Sequence, residues 1–140
     1  MALSTFGAIM TFAADMFQFG EEVLLVSIQN AKNPLIRDIL DDLIADQRKS
    51  RSLMERVRRE NVTEMILEPI NGLSEEEYDI KAALISQPQN ADPLTLATII
   101  EERQQRFFQD CSTKIPMAEV ARLFKKISQT KEQALMRLRS

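Results

Sequence analysis

Apolar positions recur three and four residues apart over most of the chain, the spacing that puts them on one face of an α-helix. They do so in four segments. The first spans about Leu3 to Ala31, with an inward stripe of Ala8, Phe12, Met16, Phe19, Val23 and Val26. Asn33-Pro34 ends it, because a residue before proline avoids the helical region. The second runs from about Pro34 to Asn61, with Asn33 as cap and Pro34 at the tolerated first position. Its stripe is Ile36, Leu40, Leu43, Gln47, Ser50, Met54 and Val57. The third runs from about Pro93 to Thr113 behind the cap Asp92. The fourth runs from about Pro116 to Arg139, with stripe Val120, Phe124, Ile127, Lys131, Ala134 and Leu138. With only 3 Gly and 5 Pro there are few turn signals, so long helices are expected and the fold class is all-α.

The stretch Val62–Ala91 separates the second and third segments. It contains the apolar Met65-Ile66-Leu67 and then Ser74-Glu75-Glu76-Glu77. Serine followed three residues on by glutamate is a capping box, so a short helix is expected to start at Ser74. A structureless loop of this length is unusual in a compact domain, and a crossover with its own helix is the better reading. At 140 residues the chain is one ordinary domain, residues 1–140, and long enough to bury a core.

Charge and composition narrow the chemistry. Hydrophobic residues at 44% and charged residues at 28% give a soluble globular balance, and a net charge of −3 gives no general pull toward nucleic acid. No apolar run approaches the roughly 20 residues needed to cross a bilayer, so no membrane association is expected. Met1–Ala14 lacks the basic start of a signal peptide and reads as part of the first helix. The single Cys111 rules out an internal disulfide and suits a reducing cytoplasm. The absence of histidine excludes histidine-based triads, His-ligated zinc and His acid–base catalysis. There is no Gly-rich phosphate loop and no Cys-x-x-Cys, and no cofactor is implied.

The approach to the second helix and the helix itself, Asn30-Ala31-Lys32-Asn33-Pro34-Leu35-Ile36-Arg37-Asp38-Ile39-Leu40-Asp41-Asp42-Leu43-Ile44-Ala45-Asp46-Gln47, resemble rubrerythrin-type proteins of the ferritin-like superfamily. In those proteins an Asp-Pro or Asn-Pro turn leads into Phe-x-x-Leu-Ala-x-x-Glu-x-x-His. Glu101 six residues before Phe107-Phe108 is similar to the family's glutamate followed by an aromatic pair. Leu123-Phe124-Lys125-Lys126-Ile127-Ser128 resembles the Phe-x-x-Leu-Ala opening. The resemblance covers the four long helices and not the crossover. It implies a ferritin-like four-helix bundle with a long connection between helices two and three.

In that family each half of the bundle supplies one Glu and one Glu-x-x-His to two irons. Carried over, the Glu-x-x-His of helix two falls on Gln47 and Ser50, and that of helix four on Lys131 and Ala134. The single glutamates fall on Glu101 in helix three and on Phe19 in helix one. Only Glu101 remains a carboxylate, so the resemblance implies a degenerate member without the di-iron ligands. Helical periodicity, at about 100° per residue, independently centres helix two near Gln47 and helix four near Lys131. The residues expected in the core polar layer are therefore Gln47, Ser50, Glu101, Gln104 and Lys131, with Phe19 beside them. Glu101 and Lys131 are expected to form a buried ion pair where metal would stand, with Gln47 or Gln104 completing its hydrogen bonds.

Three readings of function follow. The leading one is a metal-free, non-catalytic ferritin-like protein acting by binding, as a homodimer. Phe6, Phe12, Phe17 and Phe19 exceed one stripe of helix one, and with the apolar Met65–Ile70 they suggest the dimer surface. The second is a di-iron carboxylate oxidoreductase or iron-binding protein using Glu22, Asp46, Glu101 and Glu132, since oxygen ligands alone hold iron or manganese. It requires helices one, two and four to be rotated from the frame above. The third, nucleic-acid binding, rests on Arg48–Arg59, which holds six basic residues and Glu55. Without interleaved aromatics, a solvated helix face is the better reading there, and no nucleic-acid partner is expected. Cys111 reads as an inert core thiol.

Overall fold

A computed structural model of the chain describes residues 1–61, 69–87 and 91–139. Every regular element in these residues is helical. Helix α1 spans Phe6–Ile28, α2 Pro34–Glu60, α3 Ile80–Ile85, α4 Pro93–Ser112 and α5 Ala118–Arg139, with a 3-10 turn at Glu75–Tyr78. The starts follow from local chemistry. The Asn33 side chain accepts the Leu35 N–H at 2.8 Å and Asp92 accepts that of Leu94 at 2.9 Å, each ahead of a proline in the first turn.

The long helices pack as two pairs, α1 with α2 and α4 with α5, and α1 also packs on α4. α2 and α5 lack such close backbone packing and are linked across the gap by the ion pairs Lys131–Asp46 and Arg137–Asp42. An aromatic cluster fills the α1–α4–α5 junction. Phe107 sits at its centre, with ring centroids 5.3 Å from Phe12, 5.3 Å from Tyr78 and 5.1 Å from Phe108. Phe108 in turn stacks on Phe17 and meets Phe124 edge-on at 4.8 Å. The stripe expected for helix two holds, with Leu40, Leu43, Gln47, Met54 and Val57 buried.

The stripe expected for helix one does not hold. The buried face of α1 includes Ile9, Ala13, Phe17, Gly20, Leu24 and Ser27, each one residue beyond the expected Ala8, Phe12, Met16, Phe19, Val23 and Val26, together with Phe6 and Met10. Of the expected set only Met16 is fully buried, and Val26 is 63% exposed. A shift of one residue is a rotation of about 100°. The large Phe12, Phe19 and Val23 sit on the flank. The buried face lies opposite the exposed polar stripe Thr11, Asp15, Gln18 and Glu22 and includes the small Ala13, Gly20 and Ser27, which let α2 and α4 approach.

The connection between α2 and α4 is partly described, and Met65-Ile66-Leu67 lie outside the described residues. The capping box expected at Ser74 does not form, since its hydroxyl donates to the Glu76 carboxylate, which also holds the Met1 ammonium. The N-terminal strip explains this. Leu3 donates to the Leu73 carbonyl at 3.0 Å, Ile70 to Ser4 at 2.7 Å and Glu75 to Met1 at 2.9 Å, and Ala2 pairs with Ser74 in an isolated antiparallel bridge. The short helix expected there does begin, as the 3-10 turn Glu75–Tyr78 with Ser74 at its cap position, and Asp79 caps α3 directly after it, accepting the Ala82 N–H at 3.2 Å. Tyr78 pins the segment to the core. It is buried edge-on against Phe107, and its hydroxyl donates to Asp110 at 2.7 Å. Burial and that carboxylate push its phenol well above the ordinary range.

Candidate functional site

α2, α4 and α5 bring three charged side chains together in the interior. Lys131 of α5 is buried to 1% exposure, and its ammonium donates to Glu101 Oε2 of α4 at 2.7 Å and to Asp46 Oδ2 of α2 at 2.9 Å. It also lies 5.3 Å from the centroid of the Phe17 ring, a cation–π contact from α1. Glu101 is fully buried, whereas the Asp46 side chain retains 36% of its exposure. The second Glu101 oxygen, Oε1, has no hydrogen-bond partner among the described residues.

One ammonium thus serves two carboxylates, and the environment separates their behaviour. Burial works against the charged form of Lys131, but attraction from Glu101 and Asp46 outweighs it and holds the ammonium above its usual pKa. Burial raises the Glu101 carboxyl above its ordinary 4.5, with Lys131 pulling the other way and the Asp46 charge adding to the rise. The cluster opens toward solvent at Asp46, and Glu101 is its buried member, with a carboxyl held above the ordinary range.

Gln47 and Gln104 lie one step away, fully buried, and form a reciprocal amide pair. Gln47 Nε2 donates to Gln104 Oε1 at 2.9 Å, and Gln104 Nε2 donates to Gln47 Oε1 at 2.8 Å. Gln104 Nε2 also reaches the Met16 carbonyl at 3.3 Å. The glutamines therefore satisfy each other, and the expectation that they complete the hydrogen bonds of the ion pair is corrected. Asp46 does so instead. Its signal in the sequence was its place beside Gln47 on the rim of the inward face, within reach of a long lysine side chain.

The helix-one member of this layer is also corrected. Phe19 is half-buried on the flank, with Lys81 5.1 Å above its ring, and it takes no part in the polar layer. Gly20 faces the amide pair: a Cβ there would lie 2.4 Å from Gln47 Oε1 and 3.1 Å from Gln104 Nε2. Glycine in a helix interior is unfavourable by itself, and this one is explained by the space the amides need. Gly20→Ala is expected to lower stability by about 1–2 kcal/mol in urea denaturation. The gain of up to about 1 kcal/mol in helix propensity is smaller than the loss of two buried hydrogen bonds. Unchanged or increased stability would show that the amides tolerate displacement.

Ser50 is half-buried on the α2 side of a cavity of about 250 Å³, together with Asp46, Lys49, Leu53, Leu123 and Lys131. Ala134 is half-buried and adds no polar atom. The donor set at the positions matching the family's ligands is an amide, two aliphatic or aromatic side chains, a hydroxyl, an ammonium and one carboxylate. An ammonium hydrogen-bonded to the only carboxylate repels a metal cation from it, so these residues do not fit a di-iron centre. The all-carboxylate set is not assembled. Glu22 is exposed and accepts from Gln18, and Glu132 is exposed and accepts from Gln105 at 3.1 Å, while Asp46 and Glu101 both face Lys131. Among the described residues no group of three or more His, Cys, Asp or Glu side chains is placed to hold a metal ion.

The remaining candidates are simpler. Arg48 pairs across to Glu21 of α1 at 2.6 Å, and within α2 Arg51 pairs with Glu55 and Arg56 with Glu60 at 3.9 Å. Cys111 is buried with its thiol pushed up by burial and by Asp110. None of the four phenylalanines of α1 is exposed. No described helix is long and apolar enough to cross a membrane. The chain matches no family model, no curated protein and no solved structure in the three comparisons made.

Proposed function

We propose that this chain is a ferritin-like protein, a four-helix bundle of α1, α2, α4 and α5 with a crossover between α2 and α4, that has exchanged a di-iron centre for an internal ion cluster. It acts by binding, as a homodimer in the cytoplasm, rather than by catalysis. The observation that carries this reading is the position of the Lys131 ammonium, between carboxylates of two other helices, at a residue the resemblance matches to a metal ligand. A protein cation standing where a metal cation would stand keeps the layer filled and its carboxylates neutralised without metal chemistry. A raised lysine is a poor nucleophile, which weighs against a catalytic amine.

The dimer rests on exposed apolar side chains, among them Val26, Leu35, Ile85 and Met136. Leu25 and Val26 stand side by side on α1 as an exposed apolar pair that a shared interface would cover. Two measurements on one preparation, purified without chelator, test the proposal. Elemental analysis is expected to find iron and manganese far below one per chain, also after anaerobic addition of ferrous iron. Light scattering is expected to give twice the chain mass at concentrations on the order of tens of micromolar. Stoichiometric metal overturns the exchanged-site reading, and a strict monomer overturns the homodimer.

A further inference from the structure

The open side of the helix array holds a second feature, independent of any kinship. Because α2 and α5 do not approach closely, a groove of about 250 Å³ runs between them. Asp46 and Lys131 close one end, and the other end is lined by the apolar Leu53 and Leu123, with Ile127 between. From Asp46 to Leu53 is two turns of α2, about 10 Å. Midway, Lys49 projects from α2 and Lys126 from α5. Both are exposed, and neither has an ion-pair partner among the described residues. The hydroxyl of Ser50 beside them is likewise without a partner there, whereas that of Thr130 already donates to the Lys126 carbonyl.

We propose that this groove is a binding site for a short-chain aliphatic carboxylate. Three lysines line it against a single carboxylate, and that carboxylate is engaged by Lys131. The charge left unmatched is therefore positive and sits at Lys49 and Lys126, with a free hydroxyl donor between them. An anionic head group is recognised there, and an apolar tail lies along Ile127, Leu53 and Leu123. A phosphorylated nucleotide fits poorly, because the lining has no arginine and no aromatic face for a base. The buried Lys131–Asp46 contact forms the polar wall of the groove, and it stays intact in the bound state because the head group sits one turn away from it.

Hexanoate is the probe. Titrated into uniformly 15N-labelled full-length protein at constant ionic strength, it is expected to give saturable amide shifts at Ser50, Leu53, Leu123 and Ile127, with millimolar or better affinity. Hexylammonium, which has the same tail and the opposite charge, is expected to give none. The double variant Lys49→Glu with Lys126→Glu is expected to bind hexanoate at least tenfold more weakly while keeping the wild-type melting profile, since both side chains are exposed. If that variant does not fold, Lys126→Gln alone carries the same expected direction. Absence of saturation, equal binding of hexylammonium, undiminished binding by the lysine variants, or tighter binding of inorganic phosphate than of hexanoate would each overturn the proposal.

Discussion

Replacing Lys131 with Met is expected to destabilise the fold by about 3–5 kcal/mol, the loss typical of leaving one partner of a buried ion pair alone. Glu101 is then a fully buried carboxylate with neither oxygen paired, and Asp46 has lost its partner beside it. Charge must leave as well, so the pH dependence is diagnostic. Glu101 is already raised above its ordinary 4.5 by burial, and loss of the lysine raises it further. A carboxyl with a raised folded-state pKa binds its proton more tightly in the native state. It therefore costs nothing below 4.5 and destabilises progressively as pH rises from there toward the folded-state value. The stability gap between wild type and variant, read from urea midpoints, is expected to be smallest at acid pH and to widen toward neutrality. A gap that does not vary with pH would mean that Glu101 is not the group left uncompensated.

The partners are not equivalent. Glu101→Leu leaves Lys131 with Asp46, so it is expected to be milder than Lys131→Met. The double variant, Lys131→Met with Glu101→Leu, removes the buried ammonium and the buried carboxylate together and is expected to recover much of the loss. Asp46 survives in it at little expense because it is partly solvated. Had the ion pair been isolated, the two single variants would match. Their inequality measures what Asp46 contributes.

Phe107→Ala is expected to destabilise by about 3–5 kcal/mol, the range for deleting a buried phenylalanine. The position joins Phe108 beside it to three aromatic neighbours from other parts of the chain: Phe12 on α1, Phe124 on α5 and Tyr78 in the connection to α4. Tyr78 rests edge-on on that ring, so the variant is also expected to loosen the connection. Faster amide hydrogen exchange at Tyr78 and Ile80 than at Leu40 or Met54 would report it. A loss below 1 kcal/mol, or uniform exchange throughout, would show that the cluster repacks around the deletion.

Helix limits were legible locally. Asn33-Pro34 and Asp92-Pro93 mark where α2 and α4 begin because capping needs only the residues at hand. The faces of α2 and α5 were legible too. These helices are polar on most of their surface, so the few apolar positions around Gln47 and Lys131 stand out, and both residues point inward. Periodicity alone turned Gln47 and Lys131 inward, and Glu101 joined their layer only as what the resemblance to rubrerythrin-type proteins implied.

The same reasoning failed on α1 by one residue, and the failure carried Phe19 into a layer that belongs to Gly20. The large Phe12 and Phe19 draw the expected face toward themselves, whereas the polar stripe Thr11, Asp15, Gln18 and Glu22, exposed throughout, marks the back of the helix. Opposite that stripe lie Ala13, Phe17, Gly20 and Leu24, buried against α2 and α4. Asp46 was hidden for a different reason. Which carboxylate meets a lysine depends on the separation of α2 and α5, a distance set by every contact in the core and by no local pattern. Likewise a short helical turn does start after Ser74, but its capping box does not form, because the N-terminal strip, more than 70 residues away in sequence, engages the Glu76 carboxylate that takes the serine hydroxyl. Local chemistry determined the long helices and turned Gln47 and Lys131 inward. Tertiary packing alone decided the third charge and the groove that α2 and α5 leave between them, because each depends on distances between helices.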